Sequence, residues 1–256
     1  MESAQPGNPP PGSPPPRNAA FRPLPDGGRA FSTARTVRST DVTPDGRLRL
    51  DAVARYLQEA AEDDLTEAGW QEPCDWLLRR CAIAVRAFPQ HGDQVRVSTF
   101  CSATGPRWAE RTTTLAGADG DLIQARAVWV ATEPGTGQPR PLGPEFHRVY
   151  GAAAAGRSVT ARLFHPPPDG TPASRAWPLR ASDFDPAGHV NNTVHWAVVE
   201  DVLAGAGWLP ASAEVEYHRQ IRPGQRPRLA ISGSSGELRL WLLAGRQRLA
   251  SAYLAR

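Results

Sequence analysis

The chain has 256 residues, of which 40% are hydrophobic, and this length provides for one large domain or two small ones. No apolar run reaches the roughly 20 residues that cross a bilayer. The N-terminus lacks the apolar core of a signal peptide, so the sequence predicts a cytoplasmic protein. All 29 basic residues are arginine, and the net charge is +3.

The composition also limits the classes of partner and ligand that the chain is expected to bind. No arginine cluster alternates with aromatic residues, which argues against nucleic acid, although an arginine-rich surface suits an acidic protein. The three cysteines, Cys74, Cys81 and Cys101, lack the spacing of a disulfide framework or a zinc site. The sequence therefore predicts neither a metal nor a cofactor.

The first segment in chain order, residues 1–28, is rich in proline, glycine, serine and asparagine. A segment of this composition cannot bury a core, so we expect a disordered or polyproline-like tail.

A first structural unit is predicted over residues 29–150. Asp51 is the expected N-cap of a helix over residues 52–68, where apolar residues recur at three- and four-residue spacing. Half-buried strands with alternating polarity are expected at five places. These strands are residues 34–38, 77–88, 94–101, 108–115 and 123–132.

Residues 151–174 are predicted to be a linker with a short strand at 159–164. A second unit over residues 175–256 repeats the plan of the first. Its helix is expected over 193–203, with Asn192 as N-cap. Its strands are expected at residues 176–181, 213–221, 228–232, 237–243 and 247–254.

A long helix wrapped by a curved antiparallel sheet is the hotdog fold, so the predicted fold class is α+β with a tandem (double) hotdog. A single hotdog normally pairs with a second one, because its sheet edge and groove need a partner. Two units in one chain supply this pairing as an intramolecular pseudo-dimer. A further association into a homodimer stays open.

A segment that occurs twice gives the clearest functional signal. Residues 41–48 and 183–190 place aspartate, proline, glycine and an aliphatic residue in the same register. Where the first copy has threonine and arginine, the second has Asp185 and His189. A carboxylate and an imidazole four residues apart can perform acid–base chemistry, so we expect the reactive site in the second copy.

Each copy leads into an apolar helix that contains a Glu-Asp pair, at residues 62–63 and 200–201. This match aligns Glu200 with Glu62 and favours a structural role for Glu200.

Over residues 30–256 the chain resembles the bacterial branch of the acyl-acyl-carrier-protein thioesterase family. The similar stretches are residues 36–38, 41–42, 46–52, 55–58, 107–111, 127–130 and 188–192. The resemblance implies hydrolysis of the thioester between a fatty acyl chain and acyl carrier protein, with release of the free fatty acid. It also implies acyl carrier protein as the partner.

The resemblance places the family's catalytic aspartate at Asp185 and its histidine at His189. The asparagine of the plant members corresponds to Ala187, and their glutamate and cysteine correspond to Gln220 and Ile221. A cysteine nucleophile is thus excluded at that place, and a mechanism centred on Asp185 remains.

The turn and the helix start after it are expected to bind the substrate. Backbone N–H groups there can stabilise an oxyanion, and glycine lets the backbone approach the thioester. Asp185 can activate water or attack directly. The expected substrate-binding residues are Gly188, Val190, Asn191, Asn192 and Gln220.

Alternatives stay open at this point. Asp185 can be a plain turn residue, His189 a buried hydrogen-bonded histidine, and Asn191 a structural tie. Competing functions are an acyl-CoA thioesterase, a hydratase or dehydratase, and a non-catalytic acyl-thioester-binding protein.

Overall fold

The computed structural model describes residues 21–256. Most of the predicted tail, residues 1–20, lies outside the described residues. Residues 21–28 form neither helix nor strand, yet they contact the first unit. Arg22 N–H donates to Gln124 Oε1 (2.7 Å), Gln124 Nε2 donates to the Arg22 carbonyl (2.8 Å), and the Arg86 guanidinium lies 3.9 Å from the Phe21 ring centroid.

Over the described residues, ten antiparallel strands form one sheet in the order β1-β3-β4-β5-β2-β7-β10-β9-β8-β6. The strands are β1 (Ala30–Thr36), β2 (Asp75–Val85), β3 (Gln94–Thr104), β4 (Trp108–Gly117), β5 (Gly120–Thr132), β6 (Ser174–Ala176), β7 (Ser212–Tyr217), β8 (Arg228–Ser234), β9 (Glu237–Ala244) and β10 (Gln247–Ala255). The helices are α1 (Leu50–Glu67), α2 (Pro144–Ala154) and α3 (Asn192–Leu203). Each half of the sheet carries one long helix, α1 or α3, and the predicted α+β double hotdog is confirmed.

The two halves join along a single strand pair. Strand β2 of the first half pairs with β7 of the second, with Cys81 opposite Val215. Helices α1 and α3 pack on each other, and one buried apolar cluster contains residues of both halves, such as Val53 and Trp196. The second unit therefore covers the sheet edge and the helix that an isolated first unit would expose.

Both long helices begin one or two residues earlier than predicted. Helix α1 has Arg49 as its N-cap instead of Asp51, which lies in the first turn and forms an ion pair with Arg49 (2.8 Å). The N-cap of α3 is Asn191 instead of Asn192, because the Asn191 side chain accepts the Thr193 N–H (2.9 Å).

Helix α2 was not predicted, and it crosses the expected boundary at residue 150. Proline stands at its start and Ala155 ends it in the left-handed conformation (φ 48°). Phe146 and Tyr150 bury one face of this helix against the first sheet. The boundaries of the units stay a prediction.

The strand expected at 159–164 is absent. This stretch is an extended strap over the outer face of the sheet, where Trp108 Nε1 donates to the Val159 carbonyl (2.8 Å). The strand expected at 176–181 is the shorter β6. Within residues 21–256, no helix is long and apolar enough to cross a membrane.

Candidate active site

The sequence repeat corresponds to two turns with the same hydrogen bonds. In the second copy, Asp185 N–H donates to the His189 carbonyl and Gly188 N–H donates to the Asp185 carbonyl, both at 2.9 Å. In the first copy, Thr43 N–H donates to the Arg47 carbonyl (2.8 Å). Two turns of equal backbone geometry therefore hold different side chains.

The carboxylate of Asp185 is held by its own turn. Its Oδ1 accepts the N–H groups of Ala187 (3.0 Å) and His189 (3.3 Å). Gly188 has φ +75°, a conformation that favours glycine. In the described part of the chain no hydrogen bond reaches Oδ2, so this oxygen is available to water or substrate.

The start of helix α3 leaves one backbone donor open. Val190 N–H donates to the Ile221 carbonyl (2.8 Å), and Thr193 N–H donates to Asn191 Oδ1 (2.9 Å). The Asn191 N–H also has a carbonyl acceptor (2.8 Å). Asn192 N–H has no acceptor among residues 21–256. Of the backbone N–H groups at this helix start that were expected to stabilise an oxyanion, it is therefore the one that is open.

A hollow of about 290 Å³, here called the inner cavity, lies beside helix α1 and is lined mostly by residues of the first half. Apolar and aromatic side chains dominate its wall. These residues are Ala61, Leu65, Trp76, Cys101, Ala109, Trp129, Phe146 and Tyr150. Its polar lining residues are Gln58, Glu62, Glu110, Arg111, Asp185 and Asn192.

A second hollow of about 630 Å³, here called the outer cleft, has a more polar lining. Arginines 79, 219 and 222 line it together with His189 and Gln220. The outer cleft and the inner cavity share Trp76, Asp185 and Asn192. Asp185 and Asn192 therefore lie where the two hollows meet.

The remaining predicted site residues separate into two groups. His189, Val190 and Gln220 line the outer cleft, whereas Gly188 and Asn191 shape the turn and the helix start. Gln220 is exposed and lies in the loop after β7, because that strand ends earlier than predicted. Its Oε1 accepts a long hydrogen bond from Arg222 (3.4 Å).

Sequence reasoning missed the residues that helix α1 contributes from the first half. Gln58 and Glu62 line the inner cavity, and Gln58 Nε2 donates to Glu62 Oε1 (3.1 Å). The buried Gln58 Oε1 has no hydrogen-bond partner among the described residues. The sequence did contain a usable signal. The number of residues that separates the two turns also separates the first residue of α1 from the first residue of α3.

This offset corrects the alignment of the two helices. It pairs Glu200 with Gln58, not with Glu62, since both lie at the same distance from the start of their helix. The error arose because the Glu-Asp pairs at 62–63 and 200–201 were matched by letters, without a helix start to fix the register.

In the first copy, the groups that correspond to those of the candidate site are paired with one another. Arg47 donates through Nη1 and Nη2 to the two carboxylate oxygens of Glu200 (3.0 and 2.7 Å). Leu50 N–H, the counterpart of Asn192 N–H, donates to Glu200 Oε1 (2.6 Å). Both charged side chains are buried, at 8% and 9% exposure. In the first copy, the backbone N–H that corresponds to Asn192 and the carboxylate of Glu200 are thus both paired.

A second cluster of titratable groups lies under the strap, away from these hollows. His165, Glu214 and Glu216 bring potential metal-ligand atoms within 4.8 Å of one another. However, the Phe164 and His165 N–H groups donate to the two oxygens of Glu216 (2.5 and 3.1 Å). These contacts indicate an anchor for the strap.

None of the three cysteines is paired, and Cys101 alone lines the inner cavity. Burial raises the pKa of its thiol to about 11, so it is a protonated wall residue at neutral pH.

Comparison with known proteins gives a consistent family. The family model of the acyl-ACP thioesterase N-terminal domain matches residues 28–150, and that of the C-terminal domain matches residues 168–237. An uncharacterized protein of Mycobacterium tuberculosis is 29% identical over 237 residues, which cover 91% of this chain and 94% of that protein.

Two solved structures share the fold. The 12:0-ACP thioesterase from Umbellularia californica is 21% identical, with a TM-score of 0.75 and coverage of 88% of this chain and 96% of that one. An acyl-ACP thioesterase from Bacteroides thetaiotaomicron is 17% identical, with a TM-score of 0.72 and coverage of 88% and 97%.

Proposed function

Because the chain belongs to the acyl-ACP thioesterase family, we propose that it hydrolyses the thioester of a fatty acyl chain on acyl carrier protein and releases the free fatty acid. The observation that carries this proposal is the position of Asp185 and Asn192. A carboxylate and an open backbone donor lie together where an apolar cavity meets a polar cleft.

The two hollows suit the two ends of such a substrate. The inner cavity has the apolar wall that an acyl chain requires. The outer cleft has the polar, arginine-lined wall that suits the phosphopantetheine arm and the acidic carrier protein. A substrate that occupies both hollows has its thioester at their junction.

In the proposed reaction, Asn192 N–H and the α3 helix dipole stabilise negative charge on the carbonyl oxygen. Water bonds to the carbonyl carbon while Asp185 takes one of its protons. The C–S bond then breaks, and the proton passes to the thiolate, which leaves as the carrier-protein thiol. His189, in the outer cleft, lies on the side of the leaving group.

Thiol release from a panel of acyl-ACPs and acyl-CoAs tests this function, with Asp185→Asn as the variant. We expect hydrolysis of acyl-ACP to be faster than that of acyl-CoA. Asp185→Asn should lower kcat about 10²- to 10⁴-fold, since the amide cannot take a proton. Its thermal unfolding midpoint should match the wild type.

Three results would contradict the proposal. Near-wild-type turnover by Asp185→Asn would refute the assignment of the site. Faster turnover of acyl-CoA would favour a CoA thioesterase. Tight binding of acyl thioesters without turnover by the wild type would favour a non-catalytic binding protein.

A further inference from the structure

The two related turns differ in what the opposite helix presents to them. Glu200 on α3 presents a carboxylate to the first turn, where Arg47 and the Leu50 N–H consume both of its oxygens. Gln58 holds the corresponding place on α1 and faces the inner cavity with Asp185. In the first copy the arginine, the carboxylate and the backbone N–H are therefore all paired with one another.

In the second copy the corresponding hydrogen bonds are not made. Gln58 Oε1 is buried and has no partner among the described residues, and Asn192 N–H has no acceptor there either. A buried acceptor without a donor is unfavourable unless a ligand or water supplies one. An unpaired acceptor and an unpaired donor on residues that line one cavity with Asp185 are suited to a water molecule and a carbonyl oxygen.

We propose that Gln58 is a catalytic residue contributed by the first half, and that its Oε1 accepts a hydrogen bond from the nucleophilic water. This inference rests on the proposed function. One water proton points to Gln58 and stays on the water oxygen, while Asp185 Oδ2 takes the other. The water lone pair is thereby directed at the carbonyl carbon, whose oxygen lies at the Asn192 N–H.

Glu62 is the positioning residue for Gln58. The Gln58 Nε2 donates to Glu62 Oε1 (3.1 Å), so Oε1 is the end of the amide that is left buried and unpaired. An amide also suits this place better than the carboxylate of the first copy. A neutral acceptor orients water without competing for its proton, and it adds no like charge next to Asp185.

The test compares hydrolysis with hydroxylaminolysis of one acyl-ACP by the wild type and by Gln58→Met, which keeps the side-chain length and removes the acceptor. Hydroxylamine is a stronger nucleophile that depends less on alignment, and it yields the hydroxamate and the same thiol. We expect Gln58→Met to lower kcat for hydrolysis about 10- to 100-fold, with KM changed by less than about twofold. The hydroxamate-to-acid ratio should rise by a similar factor.

Two further variants separate this role from a structural one. Gln58→Glu keeps an acceptor, so it should retain more hydrolysis than Gln58→Met, with the acid limb of its kcat–pH profile shifted upward by the added carboxylate. Gln247→Met makes the same replacement at the exposed first residue of β10 and should match the wild type. Thermal unfolding of each variant checks that it folds.

The outcomes distinguish the two levels of the proposal. A wild type that releases no thiol from any acyl-ACP overturns the proposed function and the role of Gln58 with it. Wild-type turnover together with unchanged kcat in Gln58→Met overturns the role of Gln58 alone. An equal loss of hydrolysis and hydroxylaminolysis in Gln58→Met and Gln58→Glu also overturns the role of Gln58, because it indicates a general distortion of the site.

Discussion

Single residues decide which of the two turns is closed. In the first copy Arg47 and Glu200 form a buried bidentate ion pair that also takes up the Leu50 N–H. In the second copy the corresponding residues are His189 and Gln58, which carry no such opposite charges. Of the two related turns, the first thus stabilises the fold through a buried ion pair, and the second keeps polar groups that are available for chemistry.

Because the ion pair lies in the first copy, breaking it should lower the stability of the protein and have little effect on activity at the second copy. Glu200→Ala leaves the buried Arg47 without its partner and should lower the free energy of unfolding by about 3–5 kcal/mol. The double variant Arg47→Met, Glu200→Leu should recover most of this loss, because it removes both charges. Urea unfolding measures both values, and a double variant less stable than Glu200→Ala would contradict the argument.

At the scale of elements, helices α1 and α2 both contribute to the wall of the inner cavity. Gln58 and Leu65 both line the cavity from α1, and the seven residues of helix that separate them correspond to about 10 Å. Phe146 and Tyr150 on α2 close the wall further along, with ring centroids 5.2 Å apart. The unpredicted helix therefore gives the cavity part of its aromatic wall.

Replacement of Phe146 by alanine should move the preferred acyl chain to a greater length. The missing ring extends the cavity at α2, while the junction to which the proposed function assigns the thioester is unchanged. Competition between acyl-ACPs of increasing length measures the shift, with Phe164→Ala, in the strap and outside the lining of the cavity, as the control. An unchanged length profile in a folded Phe146→Ala variant would mean that the chain does not reach this helix. Some stability, about 3–5 kcal/mol, should also be lost.

At the scale of the whole molecule, buried histidines couple stability to pH. Burial lowers the pKa of His195 to about 4, and burial with the nearby arginines lowers that of His218 to about 4. The ordinary value is near 6.5, so the unfolded chain binds protons between these pH values that the folded chain does not. The folded state should therefore lose stability as pH falls from about 6.5 to 4.

Replacement of His195 by glutamine should flatten this dependence, since glutamine does not titrate. The free energy of unfolding of the wild type should fall by up to about 3 kcal/mol more than that of the variant over this range. Chemical denaturation at several pH values measures the slope. The control His91→Gln, at an exposed histidine, should keep the slope of the wild type. If His195→Gln also kept the wild-type slope, His195 would not be the group that couples stability to pH.

The sequence by itself determined the repeat, the double hotdog and the turn that carries Asp185, because these depend on local patterns. Proline, glycine and aspartate at fixed spacing specify a turn, and apolar spacing specifies the helix after it. The ends of elements were less accurate: Asn191 caps α3 because its side chain, and not that of Asn192, reaches the Thr193 N–H.

Only the tertiary structure decided which distant residues meet at the turn. Gln58 lies far from Asp185 in the sequence, and the two line one cavity because α1 packs on α3 and β2 pairs with β7. Helix α2 was equally invisible, because its alanines and glycine resemble a linker until Phe146 and Tyr150 are buried against the sheet. Local patterns fix backbone conformation, whereas the closure of a cavity depends on burial between segments that the sequence does not place side by side.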